Sequence, residues 1–187
     1  KRAICYSGFR DGQSPDEGVF PTKAEITNDF RILTGYWDAL RLYACDTHTE
    51  RVLEVIAEQR FPFKVMLGAY IAAEVSNPNC PWGGEYPASV LARNRDQNRD
   101  EIERAIALAN RYPDIVDVVS AGNEATVDWT DHLVSPESVL EYVAYLQDHI
   151  VQPVTFCENY VPWLGKLDAL AEQVDVIAIH TYPVWEY

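Results

Sequence analysis

Positive charge is scarce in this chain. Among 187 residues, 15 are Lys or Arg against 29 Asp or Glu, a formal net charge of −14. Nucleic acid requires clusters of Lys and Arg to neutralise phosphates. No such cluster occurs, so nucleic acid and anionic membrane surfaces are excluded as expected partners. A neutral ligand such as a carbohydrate stays compatible with the acidity, which also serves solubility. Long apolar runs are missing too. None approaches the ~18 residues of a transmembrane helix. The opening "KRAICYSGF" has no long apolar stretch behind its basic start, so it reads as a strand rather than a leader peptide. Because residue 1 is Lys, the expectation is a chain processed or cut from something longer, and compartment and oligomeric state are left unassigned.

The four cysteines, Cys5, Cys45, Cys80 and Cys157, form no CxxC pair. A structural zinc site is therefore not expected, and buried free thiols are. The glycines of "GFRDGQSPDEG" fit neither GxGxxG nor GxxxxGK[ST], which removes support for a phosphate cradle. GxSxG is absent as well, and with it the nucleophile elbow of a serine hydrolase.

What is present is alternation. Short apolar runs read as strands in "AICYSGF", "ALRLYAC", "KVMLGAYI", "DIVDVVSAGNE", "PVTFCENY" and "VDVIAIHTYPVW". Between them lie helical patterns. Thr22 with Glu25 and Thr47 with Glu50 have capping-box spacing. "NRDQNRDEIERAIALANRY" presents Ile102, Ala105, Ile106 and Ala109 on one face. Ser135 and Pro136 open a helix with Val139, Tyr142, Val143 and Leu146 inward, and "LGKLDALAEQ" is a short one. A repeating strand–helix unit requires a parallel sheet.

An open doubly wound sheet and a (β/α)₈ barrel both satisfy that requirement, and the strand ends favour the barrel. Polar groups stand at the C-terminal end of strand after strand, where barrel sites are built. They are Tyr6, Tyr43 with Asp46, Tyr70 with Glu74, Asn123 with Glu124, Glu158 with Asn159, and His180 with Tyr182. The expected fold is thus an α/β (β/α)₈ TIM barrel, incomplete at about six strand–helix units, in a single domain over residues 1–187 whose C-terminal portion is missing.

The strand ends "ICYSG", "RLYACD", "VSAGNEA" and "HTYPVW", in that order, resemble glycoside hydrolase family 17, the β-1,3-glucanases and β-glucan transglycosylases. The resemblance covers strands one to six. It implies a barrel of the larger clan of retaining glycosidases, in which Asn followed by Glu at the end of strand four supplies the acid/base. Glu124 matches that role, and Asn123 the residue that bonds the sugar 2-hydroxyl. Such cleavage needs a carboxylic acid to protonate the leaving oxygen and a second carboxylate at the anomeric carbon. Burial is expected to raise the Glu124 pKa for this task. The family's nucleophile is a Glu at strand seven in a Thr-Glu-x-Gly-Trp type motif, and no such motif is present here. Glu158 is open either as a substitute nucleophile or as a sugar-binding carboxylate, with Glu74 similar.

Sugar rings present apolar C–H faces, so Trp82, Trp129, Trp163 and Trp185 are candidate platforms as well as candidate packing residues. Tyr43 and Tyr182 match family positions near the cleaved sugar. His180 is either a site residue or a core histidine, whereas His48 and His149 read as helical and exposed. Asp128, Asp131 and His132 in "DWTDH" invite a metal reading, but no second ligand cluster supports it, and neither metal nor cofactor is expected. The expected partner is an oligo- or polysaccharide. The alternatives to a β-glucan hydrolase are a transglycosylase, a non-catalytic carbohydrate-binding barrel fragment, and an unrelated barrel enzyme acting on small metabolites.

Overall fold

The structure is a computed structural model, and residues 1–184 are described. Six strands form one wholly parallel sheet in sequence order: β1 (Ala3–Cys5), β2 (Ala39–Arg41), β3 (Lys64–Gly68), β4 (Val116–Asn123), β5 (Val154–Asn159) and β6 (Ala178–His180). Helices α1 (Lys23–Leu33), α2 (Thr47–Gln59), α3 (Ala88–Arg111), α4 (Pro136–His149), α5 (Tyr160–Trp163) and α6 (Asp168–Gln173) fill the crossovers. This is the curled sheet of a partial (β/α)₈ barrel, as the alternation predicts.

Alternation along the strands separates two sides. Leu40, Val65, Leu67, Val119, Val154 and Phe156 are buried against Ile26, Phe30, Val52, Leu53, Ile102, Val139 and Val143 of the helices. Neighbouring positions such as Arg41, Cys157 and His180 turn to the barrel interior and supply the site.

Local chemistry sets the helix ends. Thr22 and Glu25 close the predicted capping box on α1, with Glu25 N donating to Thr22 Oγ1 at 3.2 Å and Thr22 N to Glu25 Oε2 at 2.8 Å. For α2 the cap is Asp46 rather than Thr47: Thr49 N donates to Asp46 Oδ1 at 3.0 Å. A carboxylate also complements the positive end of the helix dipole. Ser135 caps α4 with Pro136 behind it, as expected.

Helix α3 departs most from the pattern. It begins at Ala88, before the predicted stretch, and its polar residues Asn94, Asn98 and Glu101 are buried. They replace the ladder bonds that the chain loses beyond β3. Asn94 Nδ2 donates to Ala73 O at 2.9 Å, and Asn98 exchanges bonds with both backbone groups of Ala72 at 2.8 and 3.0 Å. Glu101 Oε1 accepts from Cys45 N at 2.6 Å and Tyr70 N at 3.0 Å. Buried backbone must be paired, and here a helix face pairs it.

His48 is a second correction. It is 5% exposed rather than solvated, and its Nε2 accepts from Gly8 N at 3.2 Å. Burial pushes its pKa down to about 4. Of the cysteines, Cys45, Cys80 and Cys157 are buried free thiols as expected, but Cys5 is exposed. No helix among the described residues is long and apolar enough to cross a membrane.

Two predictions follow from these features. Unfolded His48 titrates near 6.5 and the folded ring near 4, so between those values the unfolded chain binds more protons. Stability therefore falls as pH drops through that window, by at most about 3 kcal/mol from this group. Urea unfolding at pH 7 and pH 4.5 should show a smaller pH-dependent loss in His48→Gln than in wild type. The outer edges of β1 and β6 have no partner strand among the described residues. Val176, Ile177 and Ile179 beside the β6 edge are about half exposed. Unpaired edges template association. Residues 1–187 produced alone should self-associate with concentration in sedimentation velocity, and Ile179→Lys should reduce the associated fraction.

Candidate active site

The segment after β4 is built around an unusual backbone. Gly122 has φ 120° and Glu124 has φ 46°. A Cβ at Gly122 would meet Phe156 Cε2 at 3.0 Å, so both φ and space call for glycine. Left-handed backbone at a glutamate is uncommon and persists only where surroundings hold it. Here they do. Glu124 N donates to Cys157 O at 2.9 Å, and His132 Nε2 donates to Asn123 O at 2.9 Å. Glu158 Oε2 accepts from Thr126 N at 2.8 Å and Thr126 Oγ1 at 2.7 Å.

That framework projects the Glu124 carboxylate into the mouth of the sheet, among partners from three strands. Tyr182 OH donates to Glu124 Oε1 at 2.6 Å, and His180 Nδ1 donates to the same oxygen at 2.9 Å. His180 Nε2 accepts from Arg41 Nη1 at 2.7 Å, and Arg41 Nη2 donates to Asn123 Oδ1. Arg41 also lies 4.8 Å over the Tyr43 ring. A guanidinium cannot accept, so the contact with Arg41 belongs to the neutral ring with its proton on Nδ1. Contact with Cys157 first, and with Glu124, raises the ring's pKa to about 9 against burial and the Arg41 charge, so the neutral form bonded to Arg41 competes with a protonated one. Asn123, with its oxygen bonded to Arg41, keeps its amide N–H groups as donors.

The pKa of Glu124 runs against expectation. It is lowered, first by the His180 hydrogen bond and also by Tyr182, against desolvation. The carboxylate is only partly buried, so donors outweigh burial. Glu124 thus rests ionised, as an acceptor.

Of the residues that the sequence singled out, Asn123, Glu124, His180 and Tyr182 come together here, with Tyr43 joined through Arg41. Tyr6 and Asp46 line a neighbouring cavity, although Tyr6 is 7% exposed and its hydroxyl donates to Asp29 Oδ2 at 2.7 Å. Glu158 is fully buried at 0% exposure, and Asn159 N occupies its other oxygen at 2.7 Å. It braces the loop that carries Glu124 and has no surface to offer a sugar or an anomeric carbon. Glu74 is equally committed, to Asn98, Tyr142 and Arg95. Trp163 packs on Phe156 with its ring N–H on Ala178 O at 3.3 Å, a sealing role, while Trp82 and Trp129 are exposed. Trp185 lies outside the described residues. The His132 ring of "DWTDH" is engaged by Thr130, Asp131 and Asn123 O. Arg41 was missed; its one signal was a lone cation in an otherwise apolar strand run.

No family model matches the sequence, and no curated protein does. Solved structures do match. An endo-laminarinase from Formosa Hel1_33_131 is 30% identical over 97% of this chain and 50% of its own, with a TM-score of 0.78. A glycoside hydrolase family 17 β-1,3-glucanosyltransferase from Rhizomucor miehei is 18% identical, with 99% of this chain and 58% of that one covered and a TM-score of 0.67. A β-glucuronidase from Parabacteroides merdae is 17% identical over 89% of this chain and 19% of its own, with a TM-score of 0.56. The last two likenesses are of fold. The fold is that of glycoside hydrolases, and the chain spans 50% and 58% of the first two structures.

The hydrogen bonds make a direct prediction about Glu124. Removing a donor to its carboxylate must raise its pKa, because each donor stabilises the ionised form. A ¹³C NMR titration of the Glu124 side-chain carboxyl should move upward in both Tyr182→Phe and His180→Phe. The shift should be larger for His180, whose contribution leads. A downward or absent shift in both would refute the arrangement.

Proposed function

We propose that this chain is the larger part of the catalytic barrel of a retaining glycoside hydrolase acting on β-glucan, most specifically β-1,3-linked glucan, with Glu124 as the general acid/base. The observation that carries the reading is the Glu124 carboxylate held by His180 and Tyr182 at the mouth of the sheet, with Asn123 beside it. The 30% identity to an endo-laminarinase supports the substrate class, as does the laminaritriose complex of an active-site mutant of the Rhizomucor miehei glucanosyltransferase.

In this reading the reaction takes two steps. A second carboxylate, contributed from beyond the described residues, attacks the anomeric carbon as protonated Glu124 gives its proton to the departing glycosidic oxygen. Glu124, now a carboxylate, then takes a proton from water, whose oxygen displaces the enzyme carboxylate from the sugar. The lowered pKa of Glu124 fits the second step directly. For the first, the like charge of a nucleophile ~5–5.5 Å away would raise the pKa, the usual effect of paired carboxylates. Asn123 donates to the sugar 2-hydroxyl, a bond that strengthens as the ring gains positive charge. Tyr43 and Tyr182 border the reacting sugar. If a sugar hydroxyl rather than water enters in the second step, the same machinery performs transglycosylation, which the likeness to a glucanosyltransferase favours as an additional outcome.

In the full-length protein, Glu124→Gln should lower turnover of unactivated β-1,3-glucan by ~10²–10⁴-fold with an unchanged thermal midpoint. The first step on an aryl glucoside with a good leaving group should suffer far less, because it needs no proton. Wild-type rates on both substrates would refute the assignment of Glu124.

A further inference from the structure

A cavity of about 720 Å³ opens beside the Glu124 cluster, on the other side of Tyr43. Its walls include the rings of Tyr6, Phe9, Phe20, Tyr43 and Tyr70, contributed by the segments after β1, β2 and β3. Tyr43 is shared between the two regions, since its ring also carries the Arg41 guanidinium. Tyr70 is 51% exposed and Tyr43 40%, so both present accessible faces. The volume is that of a small-molecule site.

Its charge is as informative as its shape. Asp16, Asp46 and Glu101 all line the cavity, against one cation, Arg104, among the described residues. Arg104 is already committed: its Nε and Nη2 donate to Glu101 Oε2 at 3.1 and 2.7 Å. Asp46 is fixed as the α2 cap and is only partly exposed. The nearby Arg10 is likewise spent, on Asp29 at 2.6 and 2.8 Å. With Glu101 and Arg104 paired to each other, an anionic ligand would meet Asp16 and Asp46 with no uncommitted counter-charge among the described lining residues, whereas a neutral sugar meets aromatic faces and hydrogen-bond acceptors.

We infer that this cavity binds a neutral sugar segment of the glycan running away from Glu124 across Tyr43, and that its carboxylates, Asp46 foremost, reject sugars bearing a carboxylate. The inference rests on the glycosidase reading above and adds to it the sense of charge discrimination. Asp46 acts through its charge: an amide in its place keeps the helix cap and the hydrogen bonding but removes the repulsion.

The test is calorimetric titration of the full chain with laminaritriose and with its 6-oxidised counterpart, in which each CH₂OH is a carboxylate. Wild type should bind the oxidised sugar roughly 10-fold or more weakly than the neutral one, since like charges a few ångströms apart repel strongly in a partly desolvated site. Asp46→Asn should narrow that gap several-fold while leaving laminaritriose affinity within about 3-fold. Tyr70→Ala, at an exposed ring, should weaken laminaritriose roughly 3- to 10-fold with the fold intact. Equal wild-type affinity for the two sugars, or a gap unchanged by Asp46→Asn, would overturn the inference while the glycosidase reading stood on Glu124→Gln. Unchanged laminaritriose binding in Tyr70→Ala would also overturn it. Absence of laminaritriose binding in wild type would sink both.

Discussion

Parallel strand pairing is the constraint from which the site follows. Each parallel neighbour must be reached by a crossover, so every strand runs the same way and every C-terminal end emerges on one face. Arg41, Asn123 and His180 lie on three different strands, yet all three reach the Glu124 carboxylate or its partners. No local motif could bring a guanidinium and an imidazole 139 positions apart to within hydrogen-bond distance. The sheet does so because neighbouring strands hold fixed registers, with Asn123 opposite Cys157 and Asn159 opposite His180.

The same geometry explains what sequence could and could not show. Asn123, Glu124, His180 and Tyr182 stand out in the sequence because polar residues at or just past strand ends are unusual in an apolar run, and the fold brings the four together. Glu158 satisfied the same rule and misled, because the loop after β4 also needs acceptors for its buried N–H groups, and Glu158 supplies them to Thr126. Tyr6 and Trp163 likewise serve packing as much as any ligand. Arg41 was hidden for the opposite reason: within "ALRLYAC" a lone cation reads as solvent-facing, yet its alternation with Leu40 and Leu42, both buried, places it on the inner side of the sheet. The burial of Asn94, Asn98 and Glu101 on α3 is not visible in the sequence, since helical periodicity shows which residues are polar and not whether a neighbouring loop requires their hydrogen bonds. His48 was misjudged similarly, a helical position whose burial depends on Gly8 lying against it.

Electrostatics divides the mouth of the sheet into two regimes. Around Glu124 the carboxylate is surrounded by donors and held ionised. Around Asp46, desolvation comes first and the pKa is raised instead, with Glu101 adding to it. Two acidic residues, one after β2 and one after β4, therefore differ in direction because Glu124 accepts from His180 and Tyr182 whereas Asp46 is dominated by burial. The distinction was invisible in composition, where both count equally toward the net charge.

The buried polar face of α3 ties the segment after β3 to a helix rather than to a neighbouring strand. Tyr70 N and Ala72 N, with Cys45 N beyond β2, donate to Glu101 and Asn98 of that one helix. Amide protons at those positions should therefore be released only when α3 itself comes away or frays, so that this rim of the mouth and the outer helix layer form one cooperative unit. Loop residues that would ordinarily exchange in the local-motion regime inherit the lifetime of a 24-residue helix. The aromatic wall carried by Tyr70 is thereby as rigid as the scaffold, and a ligand that leans on it meets a surface already set in place.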